Sequence, residues 1–588
     1  MMIEYSNLDI QELPLNVPFF RRKVESFLEG NGLRLETLDC YYTLQNADGK
    51  ILAGAGLKAD VIKGLAVASE ARSEGLVSPL LSHIVSVAAS RGITCLKVFT
   101  KPVYQALFES LGFRLLASAS EAILLENGRG LEQYCRYLGG FRRPGTTGVV
   151  VMNANPFTLG HRYLLEQALS KVDNLVVIPV HEDVSQFRYS ERVQMIREGA
   201  PEGVFVAEGS DYQISALTFP TYFLKDLSTA AETQMRLDAD LFVRHIAPAL
   251  GASVRFVGTE PSDALTARYN EILKERFQVV EIPRLETDGT SVSASSVRSF
   301  LSLGRYAGAA ALVPASSRPY LLAQLAVSAL QKELDCPLKP GLVGPDSSGS
   351  HSDMDYALMQ RSISALRPWF VRMAMASSAR KLQEMGLMAE KAMLEATGGV
   401  NTHKGAIYCL GLALYACGAE LPETETDLQN RLAQIAQSIS SKDNALSPTH
   451  GELAVKQYGV KGARALAQGG YQEVFTLWLP YYKTVRNEVA LSGATLCDPY
   501  RVPESTSSFR LQQTLLYIIS TLDDTCIIHR VGYSRAREVK REAGELLRNF
   551  SEEGLRALCL QYVSEGISPG GAADMLALTL FMNAITTH

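Results

Sequence analysis

Between residues 144 and 314 short apolar runs alternate with amphipathic stretches, and beyond residue 318 that alternation stops. The apolar runs lie at 149–152, 175–180, 204–207, 254–257 and 279–282, with helical spacing at 162–169, 191–199, 233–250 and 264–275. Strands that are apolar throughout and separated by helices predict a parallel sheet covered on both faces. Past an Ala/Gly/Pro/Ser-rich junction at 304–317 only helical patterns remain, as at 320–333, where Leu322, Leu325, Ala326, Ala329 and Leu330 share one face. That predicts an all-α domain. The first 128 residues mix strand-like pieces (41–44, 51–56, 64–67, 95–100) with helical ones (77–91, 103–111) and predict an α+β domain. A chain of 588 residues is too long for one core. The expected organisation is multidomain: 1–128, 144–314 and 318–588.

Composition narrows the function class. A net charge of −5 offers no basic footprint, so neither nucleic acid nor a membrane surface is an expected partner. The longest uncharged apolar run, 405–419, is too short to span a bilayer and reads as a core helix. The start of the chain is polar and acidic, and the nine cysteines are scattered without a C-x-x-C pair. A cytoplasmic protein with reduced cysteines is expected.

The chemistry concentrates in turns. After the apolar run 149–152 comes N-A-N-P-F-T-L-G-H, so Thr158, Gly160 and His161 stand at the mouth of a helix. Helix N-termini favour anions, and Gly160 lets backbone approach closely. Gly258 and Thr259, with Glu260, follow a later strand and fall on the same carboxyl rim, where ligands of such sheets bind. In 291–298, S-V-S-A-S-S-V-R, serines cap a helix start and Arg298 lies one turn in, a second anion nest. In the first domain a strand enters R72-S-E-G75 and then a helix, again an anion cradle.

The T-x-G-H tetrad resembles the signature of nucleotidyltransferases, and 291–298 is similar to their I-S-S-T-x-x-R segment, with Val292 and Ala294 departing from it. The front end resembles GCN5-related N-acetyltransferases, with Val77 where their pyrophosphate turn has Gly or Ala. A module that recognises a CoA-like group, or a packing partner, is therefore expected there. Together with M-N-A-N-P-F and the V-G-T-E-P run with Thr266, Tyr269 and Asn270, residues 1–314 resemble citrate lyase ligase. The resemblance implies that acetate attacks the α-phosphorus of ATP, and that acetyl-AMP then acetylates a thiol on the citrate lyase acyl carrier subunit. His161 is expected at the α-phosphate, Asn155 and Thr158 in positioning, and Ser293, Ser295 and Arg298 on the β,γ side with Mg²⁺.

The helical region carries K339-P-G-L-V, S-G-S-H351-S-D353-M-D355, N401-T-H403-K404-G, T449-H-G, G-A-R464 and S-P-G570-G571 with Asp574. Glycine turns with Lys, His and Arg suit phosphates, and paired aspartates suit Mg²⁺. These segments resemble triphosphoribosyl-dephospho-CoA synthase, with Leu338 standing for that family's first proline. The resemblance implies transfer of the triphosphoribosyl group of ATP to 3′-dephospho-CoA with release of adenine. Asp353 and Asp355 are then expected at metal or the cationic sugar, and Lys339, Lys404, Arg464, Gly570 and Gly571 around phosphates. His351 or His403 is expected as the proton acceptor. The chain reads as a fusion of two enzymes. Two other readings stay open: a nucleotidyltransferase making a dinucleotide-type cofactor, and a non-catalytic carrier-protein assembly factor.

Overall fold

The computed structural model describes residues 9–72, 74–183, 185–213, 227–259, 264–287, 290–418, 420–439, 450–485 and 504–587. The chain forms two compact units, Met1–Val292 and Ser293–His588.

The first unit holds two large sheets. The mixed sheet contains β1 (Ile10–Leu13), β2 (Cys40–Gln45), β3 (Ile51–Lys58), β4 (Val61–Val67), β5 (Leu96–Thr100), β6 (Arg114–Ser118) and β7 (Ile123–Asn127) in the order β1-β2-β3-β4-β5-β7-β6. Its strands pair antiparallel except β4 with β5, which run parallel and pair only at Val61–Lys97 and Ile62–Val98. The second sheet is parallel throughout: β8 (Thr147–Met152), β9 (Asn174–Pro179), β10 (Val204–Val206), β11 (Ala252–Gly258) and β12 (Val279–Ile282), ordered β10-β9-β8-β11-β12. One apolar cluster links them, running from Phe99 and Leu124 through Leu131 and Leu138 to Val149, Val176 and Ile178.

The expected single helix at 233–250 is interrupted. It is helical over Leu227–Leu241, widens to a π turn at Phe242–Ile246 and resumes at Ala247–Leu250. Pro248 has no N–H to continue the ladder, and a wider turn re-pairs the neighbouring carbonyls. The same device, Val474–Trp478 ahead of Pro480, recurs in the second unit.

Among its described residues the second unit is helical. Helices Lys404–Gly418 and Gly570–Thr586 are buried on nearly every side, as their continuous apolar sequence requires. Helix Arg318–Asp335 packs on both, and Tyr356–Ala374 packs on Arg318–Asp335 and on Lys404–Gly418. The eight described cysteines are free. Among the described residues no helix is long and apolar enough to cross a membrane.

Candidate functional site

In the first unit Thr158 caps helix Leu159–Leu169. Its Oγ1 accepts from the His161 main-chain N–H (3.3 Å), while Nδ1 of His161 accepts from the Thr158 main-chain N–H (3.1 Å). A main-chain N–H can only donate, so Nδ1 carries a lone pair and the ring proton sits on Nε2. Burial, with Arg284 nearby, pushes the imidazole down to about 4, so it is a neutral donor at physiological pH. The ring stacks on Phe157 with centroids 5.8 Å apart.

The surrounding rim is tightly tied. A Cβ on Gly160 would lie 2.7 Å from the Val292 carbonyl oxygen, so the absent side chain admits backbone there. Asn155 Oδ1 accepts from the Phe187 N–H (3.2 Å), joining the loops after β8 and β9. The Gly258 carbonyl accepts from Asn270 (3.3 Å), and the Thr259 carbonyl accepts from Arg284 Nε (2.9 Å). Glu260 lies outside the described residues. Ser293, Ser295 and Arg298 fall in the second unit, at helix Ala294–Ser302. Ser293 Oγ accepts from the Ser296 N–H (3.1 Å) and lies 2.8 Å from Ser295 Oγ, so this serine caps its helix as its position predicts.

The second unit encloses a cavity of about 400 Å³ lined by His351, Asp353, Asn401, His403, Lys404, Gly570 and Asp574, with Glu333 and Arg530. The helix turns singled out in the sequence thus converge. His403 is 4 % exposed; its Nδ1 lies 2.8 Å from Ser362 Oγ, and its buried Nε2 has no protein partner. Burial and the Lys339 charge push this ring down to about 4, leaving it neutral. His351 is more committed: Nε2 lies 2.8 Å from Ser568 Oγ, and Nδ1 accepts from Arg530 (3.3 Å) and stands 3.7 Å from Asp353. Burial, Asp524 and Glu333 push the half-buried Asp574 carboxyl well above the ordinary range. Helix Lys404–Gly418 comes so close that a Cβ on Gly405 would lie 1.9 Å from an Asp574 oxygen.

Other expected residues sit elsewhere. The Lys339 ammonium is buried in an ion pair with Glu333 (2.5 Å) and also donates to that residue's carbonyl. Asp355 caps helix Tyr356–Ala374 by accepting from the Leu358 N–H (2.7 Å). Lys404 lines the cavity and pairs with Glu390 at 3.0 Å. Arg464 is exposed in the first turn of helix Ala463–Gln468 and is not among the cavity-lining residues. Gly571 faces Asp524, whose carboxylate accepts from the N–H groups of Ala572 and Cys526 (2.8 Å each) and so occupies that helix N-terminus itself. Thr449 and the His450 side chain lie outside the described residues.

Reading the sequence missed Arg284, Glu333, Asp524, Arg530 and a His181–Asp211 pair. Two had a usable signal: His181 and Arg284 both come within two residues of a strand's carboxyl end.

Two families match successive parts of the chain. Residues 147–321 match the family described as citrate lyase ligase C-terminal domain, and residues 319–588 match ATP:dephospho-CoA triphosphoribosyl transferase. The chain is 39% identical over 314 residues to the citrate pro-3S-lyase ligase of Haemophilus influenzae, covering 51% of this chain and 94% of that protein. With the ligase of Klebsiella pneumoniae it shares 40% over 323 residues, 52% of this chain and 94% of the relative. It is also 36% identical over 293 residues to a probable 2-(5′′-triphosphoribosyl)-3′-dephosphocoenzyme-A synthase of Azotobacter vinelandii, covering 47% of this chain and 94% of that protein.

Proposed function

Because the chain belongs to the citrate lyase ligase family through its N-terminal part and to the triphosphoribosyl-dephospho-CoA synthase family through its C-terminal part, we propose that one polypeptide performs two steps of citrate lyase activation, with a separate chain installing the prosthetic group between them. One step makes the prosthetic-group precursor from ATP and 3′-dephospho-CoA. The other acetylates the prosthetic thiol once it is mounted on the acyl carrier subunit. The observation that carries this reading is near-complete coverage of two unrelated enzymes by one chain.

In the first reaction the acetate oxygen attacks the α-phosphorus of ATP and pyrophosphate leaves. Nε2–H of His161, held outward by the Thr158 cap, donates to the α-phosphate oxygen as charge develops there. Arg284 adds a cation beside it. The thiol then attacks the acetyl carbon and AMP leaves. Residues 1–128 serve as the recognition module for the CoA-like arm.

In the second reaction the ribosyl C1′–N9 bond of ATP breaks and the 2′-hydroxyl of dephospho-CoA bonds to C1′. His403, whose Nε2 is buried without a partner, takes the hydroxyl proton. Asp574, whose carboxyl is pushed up by burial, gives one to adenine. Asp353 is 62% exposed, and Asp355 has its Oδ1 on a helix cap; with their remaining oxygens they suit Mg²⁺, which would screen the triphosphate charge. Lys404 stands at the same cavity. Mass spectrometry of products from ATP, Mg²⁺ and dephospho-CoA, with and without acetate and deacetylated citrate lyase, tests both halves. Adenine with a triphosphoribosyl adduct, and AMP with acetylated lyase, are the expected products. Asp353→Asn with undiminished adenine release would remove that residue's role.

A further inference from the structure

His181 follows β9 on the carboxyl rim of the parallel sheet, next to the β8 loop that carries Thr158 and His161. The two loops are knitted together. Asn153 donates to Glu182 (2.9 Å), and buried Arg192 donates to the carbonyls of Asn153 (2.7 Å) and Val180 (3.0 Å). His181 Nδ1 lies 2.6 Å from Asp211 Oδ1, its main-chain N–H donates to Gln213 (3.2 Å), and its ring meets Tyr189 edge-on at 4.5 Å. Tyr189 is itself fixed by Glu208 (2.8 Å) and the Gly209 N–H (2.7 Å). Lys97 stands 4.0 Å from the second oxygen of Asp211. A carboxylate accepts, so Nδ1–H donates and the basic lone pair is on Nε2, on a side chain that is 40% exposed.

The rim therefore carries two histidines of opposite tautomer. His161 has its lone pair spent on a helix cap and its proton on Nε2, which suits donation and not proton uptake. His181 has its proton spent on a carboxylate and its lone pair on Nε2. One ring thus offers a proton and the other a lone pair, which fits them to acid and base roles respectively. The second half of ligation needs such a base, because a thiol is a weak nucleophile until it loses its proton.

Resting on the acetyl-adenylate reading above, we propose that His181, positioned by Asp211, is the general base of acyl transfer. Nε2 takes the thiol proton as sulfur bonds to the acetyl carbon. The bond from that carbon to the phosphate oxygen breaks, and AMP departs with its electron pair.

The test uses the full-length protein and two assays: acetate-dependent ATP–pyrophosphate exchange for the first half, and acetylation of deacetylated citrate lyase for the second. His181→Ala should lower the ratio of acetylation to exchange about a hundredfold, with free imidazole restoring part of it. Asp211→Ala, which removes the hydrogen-bond acceptor that sets the tautomer, should lower the same ratio. An unchanged ratio in both variants overturns the proposal. Absence of acetate-dependent exchange in the unaltered protein would overturn the underlying reading and this inference with it, a distinct and recognisable result.

Discussion

The main-chain N–H of Thr158 donates to Nδ1 of His161, and that one bond decides which nitrogen of the ring faces outward with a proton. The capping histidine and the proposed phosphate donor are thus the same residue in a single tautomer. His161→Ala should lower acetate-dependent exchange about a hundredfold, as loss of a transition-state donor does. Thr158→Val removes the capping hydroxyl and should cost about 1 kcal/mol in urea unfolding, while the main-chain N–H that sets the His161 tautomer is kept.

Protonation couples both neutral histidines to stability. His161 and His403 titrate near 4 in the folded chain, against about 6.5 when exposed. Between those values the unfolded chain binds more protons, so stability rises with pH. It is fully present above 6.5 and is lost as pH falls toward 4. For the buried His403 the loss is about 3 kcal/mol. Urea midpoints between pH 7 and 4.5 should fall, and His403→Gln should flatten that slope.

Burial raises the pKa of the Asp574 carboxyl, and Asp574→Asn keeps the shape of that group while removing its acidic proton. Thermal unfolding at pH 7 should barely move while adenine release falls by about 10² or more. Gly405→Ala would place a methyl against the same carboxyl and should depress both, costing about 1–3 kcal/mol from overpacking.

Lys339 offers a discriminating case, since its ammonium neutralises Glu333 out of solvent. Lys339→Ala strands that carboxylate and should destabilise the fold by about 3–5 kcal/mol. The pair Lys339→Met with Glu333→Gln should recover most of it. A well-folded Lys339→Ala protein with only weakened ATP binding would instead assign the lysine to phosphate.

Legibility differed by the range of the interaction. The parallel strands could be read directly because burial on both faces leaves a continuous apolar run, as in V149-V-V-M152. The Thr158–His161 cap was readable too, being three residues long. β6 and β7 were missed: R-L-L-A-S and I-L-L-E-N are short, and each ends in polar residues that break the run. The acid cavity was illegible for another reason. Glu333 and Asp574 sit inside apolar helices, and Asp524 is a helix cap, so only the tertiary fold brings their charges together. Likewise nothing local ties His181 to Asp211 across thirty residues.

Helix Arg318–Asp335 lies against helix Gly570–Thr586, the first long helix of its unit against the last. On the ribosome the face of the earlier helix that meets this partner must wait until the partner emerges. Folding of this unit is therefore tied to the synthesis of residues 570–586, and a nascent chain halted before residue 570 would be a chaperone client. Limited proteolysis of stalled chains would show the protected fragment appearing only after that point.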